Sequence, residues 1–443
     1  MNFKKYAVVG HPAGHSMSPF IHSRLFALCG QQAEYRAEDI PALSTALPWL
    51  RGLAGFNVTI PYKQEIIPFL DAVQKKAAAA GSVNTVKQEN GRLAGYTTDG
   101  DGFRRSLEAE KVSLCCRAAV LGAGGAARAV VTELALAGGT VTVATRPHSA
   151  AAAEKLCADV QKNIPGAQIG HCLFSELSGQ RDLLVNTTPV GMYPKTGVSP
   201  VSEEIIENSA CVFDAVYNPG ETELLRLARR HGKKAVSGIG MLVGQAAAAE
   251  EIWFGADFSE SDLRDLQKST AFEMKKKFGN IVLCGFMGCG KTTVGRLLAE
   301  TLGRDFVDLD EWIERKEGMP VAEIFRRKGE SGFRNLEKEA SRTVSEKNRQ
   351  VIAAGGGTLL DAENAAGLGA NGIILFLDAP LDAIRTRLAG DCSRPLLRSG
   401  QTLEQLYRER LGRYRTVSDL SLDAGRPAGE VAKEASRRLK PAF

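Results

Sequence analysis

The sequence is poor in the features that mark secreted, membrane-bound or nucleic-acid-binding proteins. Nine cysteines are spread over 443 residues and no C-x-x-C spacing occurs, which argues against a disulfide framework and a zinc ribbon and favours reduced thiols in a cytoplasmic setting. No apolar run reaches the ~18 residues of a membrane span. The apolar stretch near the start, Tyr6–Gly10, is too short for a signal-peptide core. A net charge of +5 is small for this length, and no dense Lys/Arg stripe points to nucleic acid. The longest basic run, Lys275–Lys277, reads as a solvated linker. Hydrophobic residues make up 44% and charged ones 24%, the balance of a globular chain long enough for two or three domains. Small anionic metabolites are therefore the expected partners, with oligomeric state left open.

What is present is dominated by Gly285-Phe-Met-Gly288-Cys289-Gly290-Lys291-Thr292-Thr293. This is the P-loop spacing, whose glycines let backbone N–H groups close around phosphate oxygens. Gly288, Cys289, Gly290 and Thr293 then belong to the ATP cradle, Lys291 reaches the β- and γ-phosphates, and Thr292 offers a hydroxyl to Mg²⁺. Asn280–Cys284 reads as a buried strand before it and Val294–Ala299 as a helix after it. Phe306–Asp310 reads as a second strand. Period 2 would put the carboxylates of Asp308 and Asp310 on one side, as a metal partner and a base for an accepting hydroxyl. Helix capping would account for Asp310 alone.

A second nucleotide signal lies upstream. The strand Ala118–Leu121 runs into Gly122-Ala123-Gly124-Gly125-Ala126-Ala127, a G-x-G-x-x-A dinucleotide fingerprint, with a helix expected from Arg128. The next strand ends at Thr145-Arg146, where an arginine suits a ribose 2′-phosphate and a carboxylate would suit NAD. NADP(H) is the expected cofactor. Strands ending near Thr187 and Tyr217 belong where the nicotinamide should lie.

Four further segments carry polar groups ahead of this fingerprint: His11-Pro-Ala-Gly-His15-Ser16-Met-Ser18-Pro19, Gly55-Phe-Asn-Val-Thr59-Ile-Pro-Tyr-Lys63, Gly81-Ser-Val-Asn84-Thr85 and Gly95-Tyr-Thr-Thr-Asp99-Gly. Taken singly, Ser16 and Ser18 read as helix caps and Lys63 as a solvated lysine. Together, in this order and spacing, they resemble the shikimate dehydrogenase family. The resemblance covers residues 1–260. It implies that Ser16, Ser18, Thr59, Asn84, Asp99 and Gln245 hold a hydroxylated ring and its carboxylate, with Lys63 and Asp99 as the acid–base pair. It also places Gly238 and Met241 against the nicotinamide, although core packing explains Met241 equally well. Thr97 stands where the family commonly has Asn. Where a second arginine often follows the first, Ala150 stands here, with His148 the nearest base.

Gly332–Glu337, Ala354–Thr358 and Cys392–Leu397, with Arg410 and Tyr414, resemble the shikimate kinase family over residues 279–425. That resemblance implies Mg²⁺ support by Thr292 and Asp308, and Asp310 as base at the 3-hydroxyl. Arg334 and Arg410 would clamp a carboxylate, with Glu337 orienting an arginine. Gly355, Gly356 and Gly357 would let the ring approach the backbone. Arg394 would close on the γ-phosphate, with Arg387 beside adenine. Gly412 stands where the family usually has Pro.

The expected architecture is α/β throughout. It comprises a substrate-binding domain over 1–103 completed by 238–262, a Rossmann domain over 104–237, a linker over 263–278 with a tether of about a dozen residues, and a P-loop kinase domain with a parallel sheet over 279–443. The implied function is a cytoplasmic bifunctional enzyme of chorismate and aromatic amino-acid biosynthesis. It would reduce 3-dehydroshikimate with NADPH and phosphorylate shikimate with ATP and Mg²⁺. A metabolite sensor would be expected to lose Lys63, Asp99, Lys291 or Asp310, and all four are present. Arg146 argues against an NAD-preferring quinate enzyme.

Overall fold

The computed structural model describes residues 3–14, 16–389 and 402–442. These form two compact units, one ending at Ala271 and the other running Phe272–Ala442. The first unit holds two sheets. Strands β1 (Lys4–Gly10), β2 (Ala33–Asp39), β3 (Gly55–Val58), β4 (Ala72–Val73), β5 (Thr85–Glu89) and β6 (Arg92–Tyr96) form a mixed sheet in the order β2-β1-β3-β5-β6-β4. Its first three strands are parallel, while β5 runs antiparallel to both β3 and β6. That reversal brings the start of β5 beside the end of β3, with Asn57 opposite Thr85.

The second sheet contains β7 (Arg117–Leu121), β8 (Thr140–Thr145), β9 (Gln168–Leu173), β10 (Arg181–Asn186), β11 (Ser209–Asp214) and β12 (Lys234–Ser237). All pairs are parallel and the order is β12-β11-β10-β7-β8-β9. Read from β9, this is the 3-2-1-4-5-6 doubly wound arrangement, whose crevice opens between β7 and β10. The apolar runs that build it, such as Ala118–Leu121 and Leu183–Val185, are buried, as a sheet covered on both faces requires.

In the second unit β13 (Asn280–Cys284), β14 (Asp305–Asp308), β15 (Gln350–Ala353), β16 (Gly372–Asp378) and β17 (Leu420–Asp423) form a parallel sheet ordered β14-β15-β13-β16-β17. Every residue of β13 is buried, so the loop after it springs from the middle of the core.

Four local expectations change. The nucleotide-domain helix begins at Gly125, not Arg128, so Gly125 and Ala126 lie in its first turn. Strand β14 stops at Asp308, and Asp310 is helical. The Asp308 carboxylate accepts the Asp310 and Glu311 amides and so starts the helix Leu309–Glu317 two residues early. The period-2 argument for Asp308 and Asp310 therefore fails, and the capping residue is Asp308. The helix Ser18–Leu28 is capped formally by Met17, although Ser16 Oγ accepts the Ser18 amide at 3.2 Å. Residues expected to include a tether are helical over Glu260–Phe278. No helix among the described residues is long and apolar enough to cross a membrane.

Candidate active sites

In the first unit, Lys63 lies past the carboxyl end of β3, and its carbonyl accepts the Val83 amide at 2.8 Å. Its ammonium group donates to the Asp99 carboxylate, and the two side chains are only 15% and 10% exposed. Asp99 opens the helix Asp99–Ala109, where the free N–H groups and dipole favour a carboxylate. Asn84 Nδ2 donates to Asp99 Oδ1 at 2.9 Å and lies 3.4 Å from Gln245 Oε1. Asn84 is itself fixed, because its Oδ1 accepts the Thr98 amide at 2.7 Å. The structure thus brings Lys63, Asp99, Asn84 and Gln245 into one hydrogen-bonded group. Thr59 sits at the neighbouring strand edge, its amide donating to Val9 O at 2.9 Å. Ser18 is buried and Ser16 half-buried at the start of the helix that follows β1.

Gln245 is brought in by a close helix crossing. A Cβ on Gly102 would stand 2.3 Å from Met241 O and 2.7 Å from Gln245 N, and one on Gly244 would stand 3.0 Å from Gly102 Cα. Only a glycine pair lets the helices Asp99–Ala109 and Ile239–Phe254 approach this far. Met241 is buried in the apolar cluster with Phe103 and Phe213, the core placement weighed for it. Gly238 packs on Ala215, whose carbonyl would stand 2.5 Å from an added Cβ.

The dinucleotide loop meets this group directly. A Cβ on Gly125 would be 3.3 Å from Lys63 Cδ, so the helix Gly125–Leu136 begins against the lysine stem. Its N-cap, Gly124, supplies no side chain, which leaves the first-turn N–H groups for an anion. Across the crevice, Thr187 Oγ1 donates to Leu121 O at 2.6 Å, beside Gly122. Ala123 and Ala126 are half-buried on the same loop. At the end of β8, Thr145 is buried with no partner for its hydroxyl among the described residues, and Arg146 and His148 are exposed. Past β11, half-buried Tyr217 follows a knot around Asp214, which accepts from Asn186 at 2.9 Å and Thr222 at 2.6 Å. Burial pushes the Asp214 carboxyl up to about 6.

In the second unit a cleft of about 350 Å³ is lined by P-loop residues Gly288, Gly290, Lys291, Thr292 and Thr293 together with Asp308, Asp310, Gly356 and Arg387. Gly288 and Gly290 have φ of 77° and 97°, backbone that points successive N–H groups inward. Cys289 is buried between them. Lys291 Nζ donates to Gly285 O at 2.9 Å and to Phe286 O at 3.2 Å. Thr292 Oγ1 donates to Asp308 Oδ2 at 2.7 Å, so the hydroxyl and carboxylate of the implied Mg²⁺ site are adjacent. A Cβ on Gly355 would be 2.9 Å from Asp310 Oδ1, and one on Gly357 would be 2.3 Å from Arg334 Nη1. Glycine at both places lets a carboxylate and a guanidinium face the same backbone. Arg334 pairs with Glu337, whose buried carboxylate also accepts from Thr358 at 2.7 Å. Arg410 Nη1 approaches Gly356 O at 3.4 Å, and Arg387 Nη2 donates to Ala424 O at 2.9 Å. Arg394 lies outside the described residues.

Sequence reasoning passed over Asn57. It accepts from Tyr35 Oη at 2.5 Å and donates to Asn84 O at 3.1 Å and Thr85 Oγ1 at 2.9 Å. The available signal was an amide side chain in a strand whose four residues are all buried.

The fold and the two sites define a dinucleotide oxidoreductase joined to a P-loop phosphotransferase. Family models match accordingly: shikimate dehydrogenase substrate binding domain at residues 8–86, shikimate 5'-dehydrogenase C-terminal domain at 238–265, and shikimate kinase at 287–440. Among similar proteins, shikimate dehydrogenase (NADP(+)) of Caldanaerobacter subterraneus subsp. tengcongensis is 39% identical over 265 residues, covering 58% of this chain and 94% of that relative. The protein of the same description from Symbiobacterium thermophilum is 43% identical over 56% of this chain and 88% of its own length. Of solved structures, a shikimate 5-dehydrogenase from Thermus thermophilus in complex with NADP(H) and shikimate is 34% identical, with a TM-score of 0.55 over 60% of this chain and all of its own. A chorismate mutase/shikimate 5-dehydrogenase fusion protein from Clostridium acetobutylicum gives 34%, 0.55 and 62%, with 99% of its own chain covered. The chain belongs to the shikimate dehydrogenase family and carries a shikimate kinase domain behind it, which makes it a bifunctional shikimate-pathway enzyme.

Proposed function

We propose that the first unit reduces 3-dehydroshikimate to shikimate with NADPH, and that the second transfers the γ-phosphoryl group of ATP to the shikimate 3-hydroxyl. NADPH bound on the Gly122–Ala126 loop supplies the hydride, and Mg²⁺–ATP bound on the P-loop supplies the phosphoryl group. The residues of the chain do the rest. Lys63 gives a proton to the carbonyl oxygen as it becomes a hydroxyl, and Asp99 orients the ammonium group. Asn84, Gln245, Ser16, Ser18 and Thr59 bind hydroxyls and carboxylate, a donor set that rejects rings lacking them. Arg146 favours the 2′-phosphate cofactor. In the kinase, Asp310 takes the hydroxyl proton, Arg334 and Arg410 grip the carboxylate, and Asp308 with Thr292 supports the metal. Lys291, with Arg387 and Arg394, offsets phosphate charge. Residues 1–103 with 238–262 serve as the substrate domain, 104–237 as the NADP domain, 263–278 as the connector and 279–443 as the kinase. The cysteines, single apart from Cys115-Cys116 and without C-x-x-C spacing, support a cytoplasmic location.

One observation carries most of this reading. The part-buried Lys63–Asp99 pair lies against Gly125, at the helix start that suits the cofactor's pyrophosphate. The test is a pair of assays on one purified preparation. NADP⁺-linked oxidation of shikimate and ATP-dependent formation of shikimate 3-phosphate are both expected. Absence of either product would sink the corresponding half.

A further inference from the structure

A buried pair that this chemistry does not use lies behind the dehydrogenase site. His22 Nδ1 and Glu250 Oε1 are 2.6 Å apart, and both side chains are fully buried. Around them pack Tyr6, Phe26, Tyr35 and Trp253. The His22 ring stacks on Tyr35 with centroids 4.0 Å apart and planes 7° apart. In such surroundings an ion pair loses more solvation than its attraction returns unless further hydrogen bonds compensate. Neither Glu250 Oε2 nor His22 Nε2 has a hydrogen-bond partner among the described residues, so nothing compensates a charge on either group. The form that fits is a carboxylic acid donating to a neutral imidazole. Burial acts in the same sense, pushing Glu250 up to about 9 and His22 down to about 3, the latter against a smaller opposing pull from Asn57.

The pair joins three lines that end at the site. His22 lies one helical turn past Ser18. Glu250 lies on the helix that carries Gln245. Tyr35, stacked on His22, donates to Asn57, Asn57 donates to the Asn84 carbonyl, and the Asn84 side chain donates to Asp99. We propose that the His22–Glu250 hydrogen bond is a positioning element of the dehydrogenase, a neutral tie that sets Ser18, Gln245 and Asn84 against the substrate. The proposal rests on the dehydrogenase reading above. His22 and Glu250 are positioning residues and touch no reacting atom.

The tie separates donor chemistry from simple packing. Glu250→Gln keeps a neutral N–H donor, whereas Glu250→Met keeps the length and removes it. In the full-length enzyme, Glu250→Met should raise KM for shikimate about tenfold, the scale of one lost buried hydrogen bond. KM for NADP⁺ should stay within about twofold, which also reports a folded first unit, and Glu250→Gln should restore shikimate KM to within about twofold of wild type. Nitrogen NMR of histidine-labelled wild type at neutral pH should show His22 as a neutral imidazole with Nδ1 accepting. An unchanged shikimate KM in Glu250→Met, equal rises for both substrates, a Gln variant as impaired as Met, or an imidazolium signal would each overturn the proposal. If the wild type did not oxidise shikimate, the proposed function would fall instead. The nitrogen signal, with the melting temperatures of the Gln and Met variants, would still decide whether the tie exists.

Discussion

Around Lys63 the neighbours are mostly neutral and bonded to one another, whereas around Lys291 they are charged or are backbone carbonyls. Asn84, Thr98, Gln245 and Asn57 close a network in which one amide serves several acceptors. In the second unit Lys291, Arg387 and Arg410 each reach a main-chain carbonyl, and Arg334 reaches Glu337. The difference follows from what each site must hold. A hydroxylated ring is read by fixed neutral donors and acceptors, while phosphates and a carboxylate are held by cations on a cradle of N–H groups. The first site accordingly depends on tight helix and strand packing, and the second on loops at the end of one sheet.

This contrast can be broken from either side. The largest effect should come from Lys291→Ala, which removes the cation proposed to face the transferred phosphate. Kinase kcat should fall roughly 10³-fold while dehydrogenase kinetics stay unchanged, as read by paired assays. The packing-based site should instead be sensitive at a residue that touches no ligand. Gly102→Ala must push Met241 O and Gln245 away, so the first unit should lose ~1–3 kcal/mol of stability, with dehydrogenase kcat falling as Gln245 shifts. Denaturant unfolding of the variant beside wild type measures this, and an unaltered midpoint would show that the helices can separate freely.

At the cofactor end of the first unit an exposed charge is the one to test. Arg146→Ala should raise KM for NADPH about tenfold and leave KM for NADH nearly unchanged, since the proposed charge-assisted bond to the 2′-phosphate would be lost. Equal changes for the two cofactors would remove Arg146 as the discriminator. A further effect concerns pH. Glu250 has its carboxyl raised from 4.5 to about 9, so folded protein keeps a proton that the unfolded chain releases across that window. Stability is then lost as pH rises toward 9. His22, lowered from 6.5 to about 3, acts only on the acid side, where the unfolded chain takes up a proton that the fold refuses. Tyr6, Tyr35 and Cys29 are the other titratable groups that feel Glu250, and all are held protonated by burial. Glu250→Gln should therefore flatten the decline in unfolding midpoint between about pH 6.5 and 9. An identical decline in both proteins would place its cause elsewhere.

The parts of this design that are local in sequence were legible there. The P-loop and the dinucleotide fingerprint each sit between a strand and a helix, and their glycines have meaning within nine residues or fewer. The short motifs around Lys63, Asn84 and Asp99 told which residues to watch, although their meeting depends on β5 reversing beside β3. Asp310 was misplaced because period 2 assumes the strand continues, and the Asp308 cap ends it. The Gly102–Gly244 crossing and the His22–Glu250 tie were invisible, since they join segments far apart in the chain and neither follows a helical or strand period. A buried glutamate among alanines looks from sequence like any exposed helix face.

The central claim is that one chain carries two separate chemistries, each with its own proton-handling residues. Lys63→Ala, assayed in the same preparation for both reactions, tests it most directly. Dehydrogenase kcat should drop at least ~10²-fold, the usual scale for a positioned acid, with ATP-dependent phosphorylation of shikimate at wild-type rate. Near-normal shikimate oxidation by the variant, or a parallel fall in kinase turnover, would contradict the account.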